Sequence, residues 1–244
     1  MTGRLSWRVA ELVATRGETP TARTLVLDVP GWPGHLAGQH VDVRLTAADG
    51  YQASRSYSIA SPVDGDRVEL TVQAVPAGEV SPYLTGTFAP GDPVELRGPA
   101  GGWFVWRDTD AAPALLVAGG SGIVPLMAMI RARAAAGSAA PFRLIYSVRT
   151  PGHVFYAEEL RRRDRDDAGL SVTFAYTRQA PPDWPGPPRR LGAAELRAHG
   201  WAPELAPRCY VCGPTGFVEA VAELLVRLGH DPERVRTERF GATA

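Results

Sequence analysis

The chain has 244 residues, 45% of them hydrophobic and 21% charged, with a formal net charge of zero. That is a globular composition with room for one large domain or two small ones, and the lack of a basic excess excludes a general nucleic-acid or anionic-membrane binder. All 26 lysine-plus-arginine positions are arginine, so finding an arginine at any one site carries less information than usual.

The chain opens Met1-Thr2-Gly3-Arg4-Leu5-Ser6-Trp7, which turns polar too soon for a signal peptide. No apolar run approaches the roughly 18–20 residues of a membrane span, so the expected location is the cytoplasm. Residues 23–29 then read as a strand. Val41, Val43 and Leu45 alternate with polar residues, as do Val68, Leu70, Val72 and Ala74, the period of half-buried strands. Residues 54–59 and 93–96 are further strand candidates, and a short helix is expected at 81–87. The turn signals Pro30-Gly31, Asp49-Gly50, Asp64-Gly65 and Pro90-Gly91-Asp92 separate them, a spacing that suggests a small antiparallel barrel. The pattern changes after Trp106. Strands are expected at 114–118, 142–148, 170–177, 209–212 and 235–240, with helices at 123–136, 156–163 and 215–228 and a Pro-rich loop at 181–188. Strands alternating with helices imply a parallel sheet. The polar stretch Arg107-Asp108-Thr109-Asp110 marks the boundary, giving domains 1–106 and 107–244.

Three local patterns carry chemistry. Ala118-Gly119-Gly120-Ser121-Gly122-Ile123-Val124-Pro125 follows the first apolar strand and opens a helix. There, free N–H groups and the positive end of the helix dipole suit a phosphate; the plain alternative is a tight turn. The next strand ends Tyr146-Ser147-Val148-Arg149 and the one after it Tyr176-Thr177-Arg178. Neither offers the carboxylate that reads a ribose 2′-hydroxyl, and two arginines suit a 2′-phosphate, favouring NADPH over NADH; otherwise they are solvated loop residues. In Arg55-Ser56-Tyr57-Ser58 a cation and an aromatic ring share one strand face and two hydroxyls the other. This fits a flat cofactor bearing a pyrophosphate, or a half-exposed strand.

Other patterns point elsewhere. Cys209-Tyr210-Val211-Cys212 is a C-x-x-C on a strand, where residues three apart face opposite sides about 10 Å apart, too far for a disulfide. His35, His40, His153, His199 and His230 have no metal-ligand spacing, so no metal is expected. The charge-dense 161–167 segment is a solvated helix end or a docking patch for an acidic electron-transfer protein.

Arg55-Ser56-Tyr57-Ser58, Gly78-Glu79-Val80-Ser81, the glycine loop, Cys212-Gly213-Pro214 and Glu238-Arg239-Phe240, in that order, resemble the ferredoxin–NADP reductase family over about residues 5–241. The resemblance implies a six-stranded antiparallel Greek-key β-barrel that binds FAD, followed by an α/β parallel-sheet domain that binds NADP, with NAD possible. It implies that Arg55 pairs with the FAD pyrophosphate, that Ser56 and Tyr57 line the cofactor, and that Ser58 hydrogen-bonds near flavin N5. Val72, Gln73 and Ala74 would line the flavin through backbone. Gly78, Val80 and Ser81 would hold the pyrophosphate. Gly119, Gly120, Ser121, Gly122, Ile123 and Pro125 would cradle the nicotinamide cofactor's pyrophosphate, with Ser147, Arg149 and Arg178 nearby. Cys212, Gly213 and Pro214 would flank the nicotinamide, Glu238 its reacting edge, and Phe240 the flavin. Ser58, Cys212 and Glu238 are thus the catalytic candidates. The loop departs from the family in Val124, where threonine is common, and an aromatic partner for the FAD adenine is unassigned.

The implied activity is hydride transfer from NAD(P)H to FAD, with nicotinamide C4 brought to about 3–3.5 Å from N5, and electrons passed on to a separate ferredoxin, flavodoxin or oxygenase. No attached ferredoxin-like or haem domain is expected, and a monomer is expected. The alternatives are a free-flavin or quinone reductase, and a non-catalytic electron-transfer subunit or redox sensor of a larger complex.

Overall fold

A computed structural model describes residues 6–241; most of the N-terminal stretch read for a leader lies outside them. The chain divides into two compact units. One is built on the residues up to Arg107 with Met127–Ala132, the other on Asp108–Leu126 and the chain from Arg133 onward. Among the described residues no helix is long and apolar enough to cross a membrane.

The first unit is a six-stranded sheet: β1 (Trp7–Thr19), β2 (Ala22–Asp28), β3 (His40–Thr46), β4 (Gln52–Ser58), β5 (Arg67–Gln73) and β6 (Pro93–Ala100), with a one-turn helix α1 (Ser81–Thr85) before β6. All the pairings are antiparallel, in the order β4-β3-β6-β1-β2-β5. The alternation read in β3 and β5 puts Val41, Val43, Val68, Leu70 and Val72 into one buried cluster with Leu25, Leu27 and Leu96. The bridge Ile59↔Leu70 joins the end of β4 to the middle of β5, and Ala60 N–H donates to the Glu69 carbonyl beside it. The sheet is thereby closed on itself at that end.

The strand candidates did not include β1, although it is the longest. Its buried side chains are Ala10 and Leu12 alone, so alternation is nearly invisible. Its place between β6 and β2 holds it instead. On the outer face the Trp7 ring lies between the Arg44 and Arg97 guanidinium groups, 4.1 and 4.8 Å from its centre, and those arginines pair with Glu95 and Asp42.

The chain beyond Arg107 runs β7 (Ala114–Gly119), α2 (Ile123–Ala135, whose stretch Met127–Ala132 groups with the first unit), β8 (Phe142–Val148), α3 (Ala157–Asp166), β9 (Leu170–Tyr176), α4 (Ala193–His199), β10 (Arg208–Pro214), α5 (Thr215–Arg227) and β11 (Val235–Phe240). Its five strands are parallel, in the order β11-β10-β7-β8-β9. β7 is buried along its whole length, as expected for a central strand covered on both faces. α4 was not expected from the sequence, because seven residues with one buried leucine, Leu196, leave too little helical period to register. Its start is marked by Glu195, whose carboxylate accepts from the Gly192 N–H at 3.0 Å.

The two cysteines on β10 are free and buried. Cys209 and Val211 pack with Leu115 and Val117, while Cys212 belongs to the opposite face of the strand. Burial pushes the Cys209 thiol up to about 12, an inert core residue rather than half of a dithiol.

Candidate functional site

In the first unit the candidates gather along β4 and β5. These are the outer strands of the sheet order, and an outer strand carries a row of backbone donors and acceptors on its free side. β4 and β5 meet at the isolated Ile59↔Leu70 bridge. Ser58 and Val72 are buried, and Gln73 and Ala74 are half-buried. Because the Val72 side chain belongs to the core, only its backbone can reach a ligand.

Tyr57 packs its ring against the same core, and burial pushes its phenol up to about 12. It is a neutral plate at neutral pH. Arg55, on the same strand face, is half-exposed and pairs with Glu79 at 2.9 Å. Ser56, on the opposite face, donates to Asp42 at 2.7 Å, and Arg97 donates to the same carboxylate.

The Gly78-Glu79-Val80-Ser81 loop leads into α1. Gly78 N–H donates to the Val75 carbonyl at 2.9 Å, and the Ser81 hydroxyl oxygen accepts from Val75 N–H at 3.0 Å. A Cβ on Gly78 would stand 3.1 Å from the Val75 carbonyl oxygen and 3.2 Å from Ser81 Oγ, so a side chain there would crowd the tight loop. A guanidinium, a loop amide chain and two outer strand edges form a donor set suited to a pyrophosphate joined to a flat ring, which is the chemistry of FAD.

In the second unit the strand order reverses at β7, whose neighbours are β8 on one side and β10 on the other. Open parallel sheets bind ligands just beyond the carboxyl ends of the strands at such a reversal. Two separate sequence motifs meet there. Gly120–Gly122 forms a single 3₁₀ turn and α2 starts at Ile123. The amides of a helix's first turn have no carbonyl partner within the helix, and Pro125 in that turn lacks the N–H it could not have used.

Cys212, Gly213 and Pro214 end β10 beside this turn, and β11 runs alongside with Cys212↔Glu238 and Pro214↔Phe240 in register. Gly122 is required by the approach: a Cβ there would collide with the Cys212 carbonyl and the Gly213 nitrogen. Gly120 has φ 54° with open space around its Cβ position, leaving backbone accessible to a ligand. The residues present therefore fit a dinucleotide pyrophosphate. Burial first, then the Glu238 carboxylate, holds the Cys212 thiol well above its ordinary value. Cys212 is a neutral packing group here, not a thiolate.

Ser147 is buried beside Gly119 on the paired strand. Arg149 and Arg178 are exposed and adjacent, with Arg178 N–H donating to the Arg149 carbonyl at 2.9 Å. The structure therefore brings together the two arginines that the sequence placed 29 positions apart. Arg161, Arg162 and Arg165 are exposed on α3.

Sequence reasoning missed three neighbours. Glu79 accepts from Arg55, and Tyr51 donates to Glu79. Glu79 lay inside a motif already singled out, but a carboxylate is the opposite of what a phosphate site asks for. Trp184, from the Pro-rich loop, packs edge-on to Tyr176 with ring centres 4.9 Å apart. Tyr176 ends β9 two residues before Arg178, and the aromatic pair is a contact that local sequence gives no way to foresee.

Gly122→Ala is expected to destabilise the second unit by about 1–3 kcal/mol, the usual range for overpacking, because its collision is with backbone. Thermal unfolding followed with and without NADPH checks it; an unchanged melting temperature and unchanged nucleotide affinity would contradict the close approach.

Residues 11–105 match the family model described as Oxidoreductase FAD-binding domain, and residues 116–223 match Oxidoreductase NAD-binding domain. Ferredoxin--NADP reductase B of Sorangium cellulosum is 33% identical over 95% of this chain and 96% of its own. The ferredoxin--NAD(P)(+) reductase component of a Ralstonia naphthalene 1,2-dioxygenase/salicylate 5-hydroxylase system is 30% identical over 83% of this chain. This chain spans 60% of the length of that component. Among solved structures, a cytochrome P450 reductase of Amycolatopsis aligns with a TM-score of 0.84 and 25% identity, over 98% of this chain and 71% of that one. Fold and motifs together define a two-unit chain made of an oxidoreductase FAD-binding domain followed by an oxidoreductase NAD-binding domain. The chain belongs to the ferredoxin–NADP reductase family.

Proposed function

We propose that this protein is an NADPH-preferring reductase that takes a hydride onto FAD and passes electrons to a separate acceptor, a ferredoxin, a flavodoxin or an oxygenase. The observation that carries the reading is the convergence, at the reversal of strand order in the second unit, of the glycine turn with Cys212 and its strand neighbour Glu238. FAD supplies the means to accept two electrons together and release them singly.

The protein's part is geometry and electrostatics. Arg55 neutralises the pyrophosphate, and the loop offers it the amides that follow Gly78 and the Ser81 hydroxyl, the Gly78 N–H itself being spent on the Val75 carbonyl. Tyr57 gives the ring system an apolar plate, and the buried Ser58 hydroxyl orients flavin N5. The amides at the start of α2 hold the nicotinamide cofactor's pyrophosphate, while Arg149 and Arg178 read its 2′-phosphate. The neutral Cys212 shapes the nicotinamide pocket beside Gly213 and Pro214. Glu238 bounds its reacting edge, with Phe240 two residues further along the same strand. The exposed arginines of α3 suit an acidic protein partner, because complementary charge speeds encounter. A reduced nicotinamide donor supports a cytoplasmic location.

Ser58→Ala is expected to slow flavin reduction by about tenfold, the worth of one hydrogen bond made to the reacting centre, while FAD stays bound. Anaerobic stopped-flow absorbance checks it, and a rate equal to wild type removes the role. The acceptor is tested by adding purified ferredoxin, flavodoxin, or free flavin or quinone to the NADPH-reduced protein. Fast reoxidation by a protein acceptor supports the reading. Turnover with small acceptors alone points to a free-flavin or quinone reductase.

A further inference from the structure

Arg55, the cation assigned to the FAD pyrophosphate, is already engaged by the chain itself. One Nη donates to the Ser54 carbonyl at 2.7 Å and the other to Glu79 Oε2 at 2.9 Å. The second carboxylate oxygen of Glu79 accepts from the Tyr51 hydroxyl at 2.6 Å. Both oxygens are thus held, and the carboxylate is seated on the guanidinium as a phosphate oxygen would be.

The segment that presents Glu79 is equally set. Gly78 N–H and Val75 N–H are both satisfied within the loop, and Ala77 holds φ 61°, a left-handed conformation that a non-glycine residue keeps only when its surroundings impose it. The Tyr51 hydroxyl and Arg55 together lower the pKa of Glu79, which keeps it charged at neutral pH. Glu79 also lines a cavity of about 680 Å³ with Tyr51, Tyr83, Arg44 and Glu95. There Glu95 is matched by Arg44 through two hydrogen bonds of 2.8 and 2.6 Å. That leaves Arg55 as the cation bonded to Glu79, and a pyrophosphate that claims Arg55 puts its own charge beside the displaced carboxylate.

We propose that Glu79 is a built-in competitor for FAD: its carboxylate occupies the face of Arg55 that the pyrophosphate requires, so FAD binds by displacing it and exchanges faster than Arg55 alone would allow. This rests on the reading that Arg55 holds the pyrophosphate. The consequence is a flavoprotein whose FAD retention is set low by one acidic side chain and can be raised by removing its charge.

The test uses purified holoprotein, diluted so that released FAD is seen as a rise in flavin fluorescence. Glu79→Gln keeps the size of the side chain and an acceptor for Tyr51 but removes the charge. It is expected to release FAD about fivefold more slowly than wild type, the size of one screened contact between unit charges. The difference should shrink at high ionic strength. In an Arg55→Ala background, loaded by adding FAD in excess before dilution, the same substitution should have a much smaller effect, because the contested group is gone and only the repulsion between Glu79 and the pyrophosphate remains; an undiminished fivefold effect there would overturn the competition for Arg55. Release from Glu79→Gln at the wild-type rate or faster overturns the proposal, and faster release would mean that Glu79 holds Arg55 in place for FAD. If Arg55→Ala alone releases FAD at the wild-type rate, the pyrophosphate assignment fails and the competitor falls with it, an outcome distinct from the first.

Discussion

Arg55→Ala is expected to purify with little or no FAD and to bind added FAD about 10- to 100-fold more weakly. Hydrogen bonds to a charged group are worth about 1.5–3 kcal/mol each, and every 1.4 kcal/mol is tenfold in affinity. The loss should be confined to the cofactor. Arg55 is half-exposed and its ion-pair partner Glu79 is too, and exposed pairs of this kind contribute at most about 1 kcal/mol to folding, so the melting temperature of FAD-loaded and variant protein should differ chiefly by the bound ligand. Flavin content by absorbance, followed by titration of stripped protein with FAD, checks the expectation. A variant that keeps a full complement of FAD would show that the pyrophosphate rests elsewhere.

The second large effect is expected from removing Arg149 and Arg178 together. Each guanidinium can make a two-pronged contact to a phosphate. Their backbones stay joined through the Arg178 N–H and Arg149 carbonyl when the side chains are cut, so the ends of β8 and β9 should hold their shape. The double alanine variant should lose on the order of 100-fold in kcat/KM with NADPH and change little with NADH, the loss falling mainly on KM, because the 2′-phosphate is remote from the chemistry. Equal losses with both nucleotides would show that the pair supports the sheet end rather than reading the phosphate.

Much of this was legible because the relevant signals are local. The alternation of Val41, Val43 and Leu45, and of Val68, Leu70 and Val72, is the imprint of strands buried on one face. The unbroken apolar run of β7 is the imprint of a strand buried on both faces. The glycine turn could be placed because a strand, three glycines and a proline at the helix start are consecutive residues. β1 was not legible, since Ala10 and Leu12 alone mark its buried side and it is held between β2, which follows it in a hairpin, and the distant β6, with Trp7 against Arg44 and Arg97. α4 was too short to show a period.

The sites divide the same way. Gly122 could be singled out as a loop glycine, but its reason, the Cys212 carbonyl 90 positions later, belongs to the parallel pairing of β7 with β10. The pairing of Cys212 with Glu238 is likewise a matter of strand register. The bond from Arg55 to Glu79 spans two elements, and a negative residue inside an anion-binding motif gives a sequence reading nothing to favour it.

An anaerobic absorbance titration of the purified protein with NADPH and NADH in parallel tests whether one chain both binds FAD and lets NADPH reduce it. The expected result is a yellow protein with FAD bands that bleach promptly, faster with NADPH than with NADH. A yellow protein that neither nucleotide bleaches would contradict the reductase reading and leave an electron-transfer subunit or sensor, and a protein that cannot be loaded with FAD would contradict the assignment of the first unit.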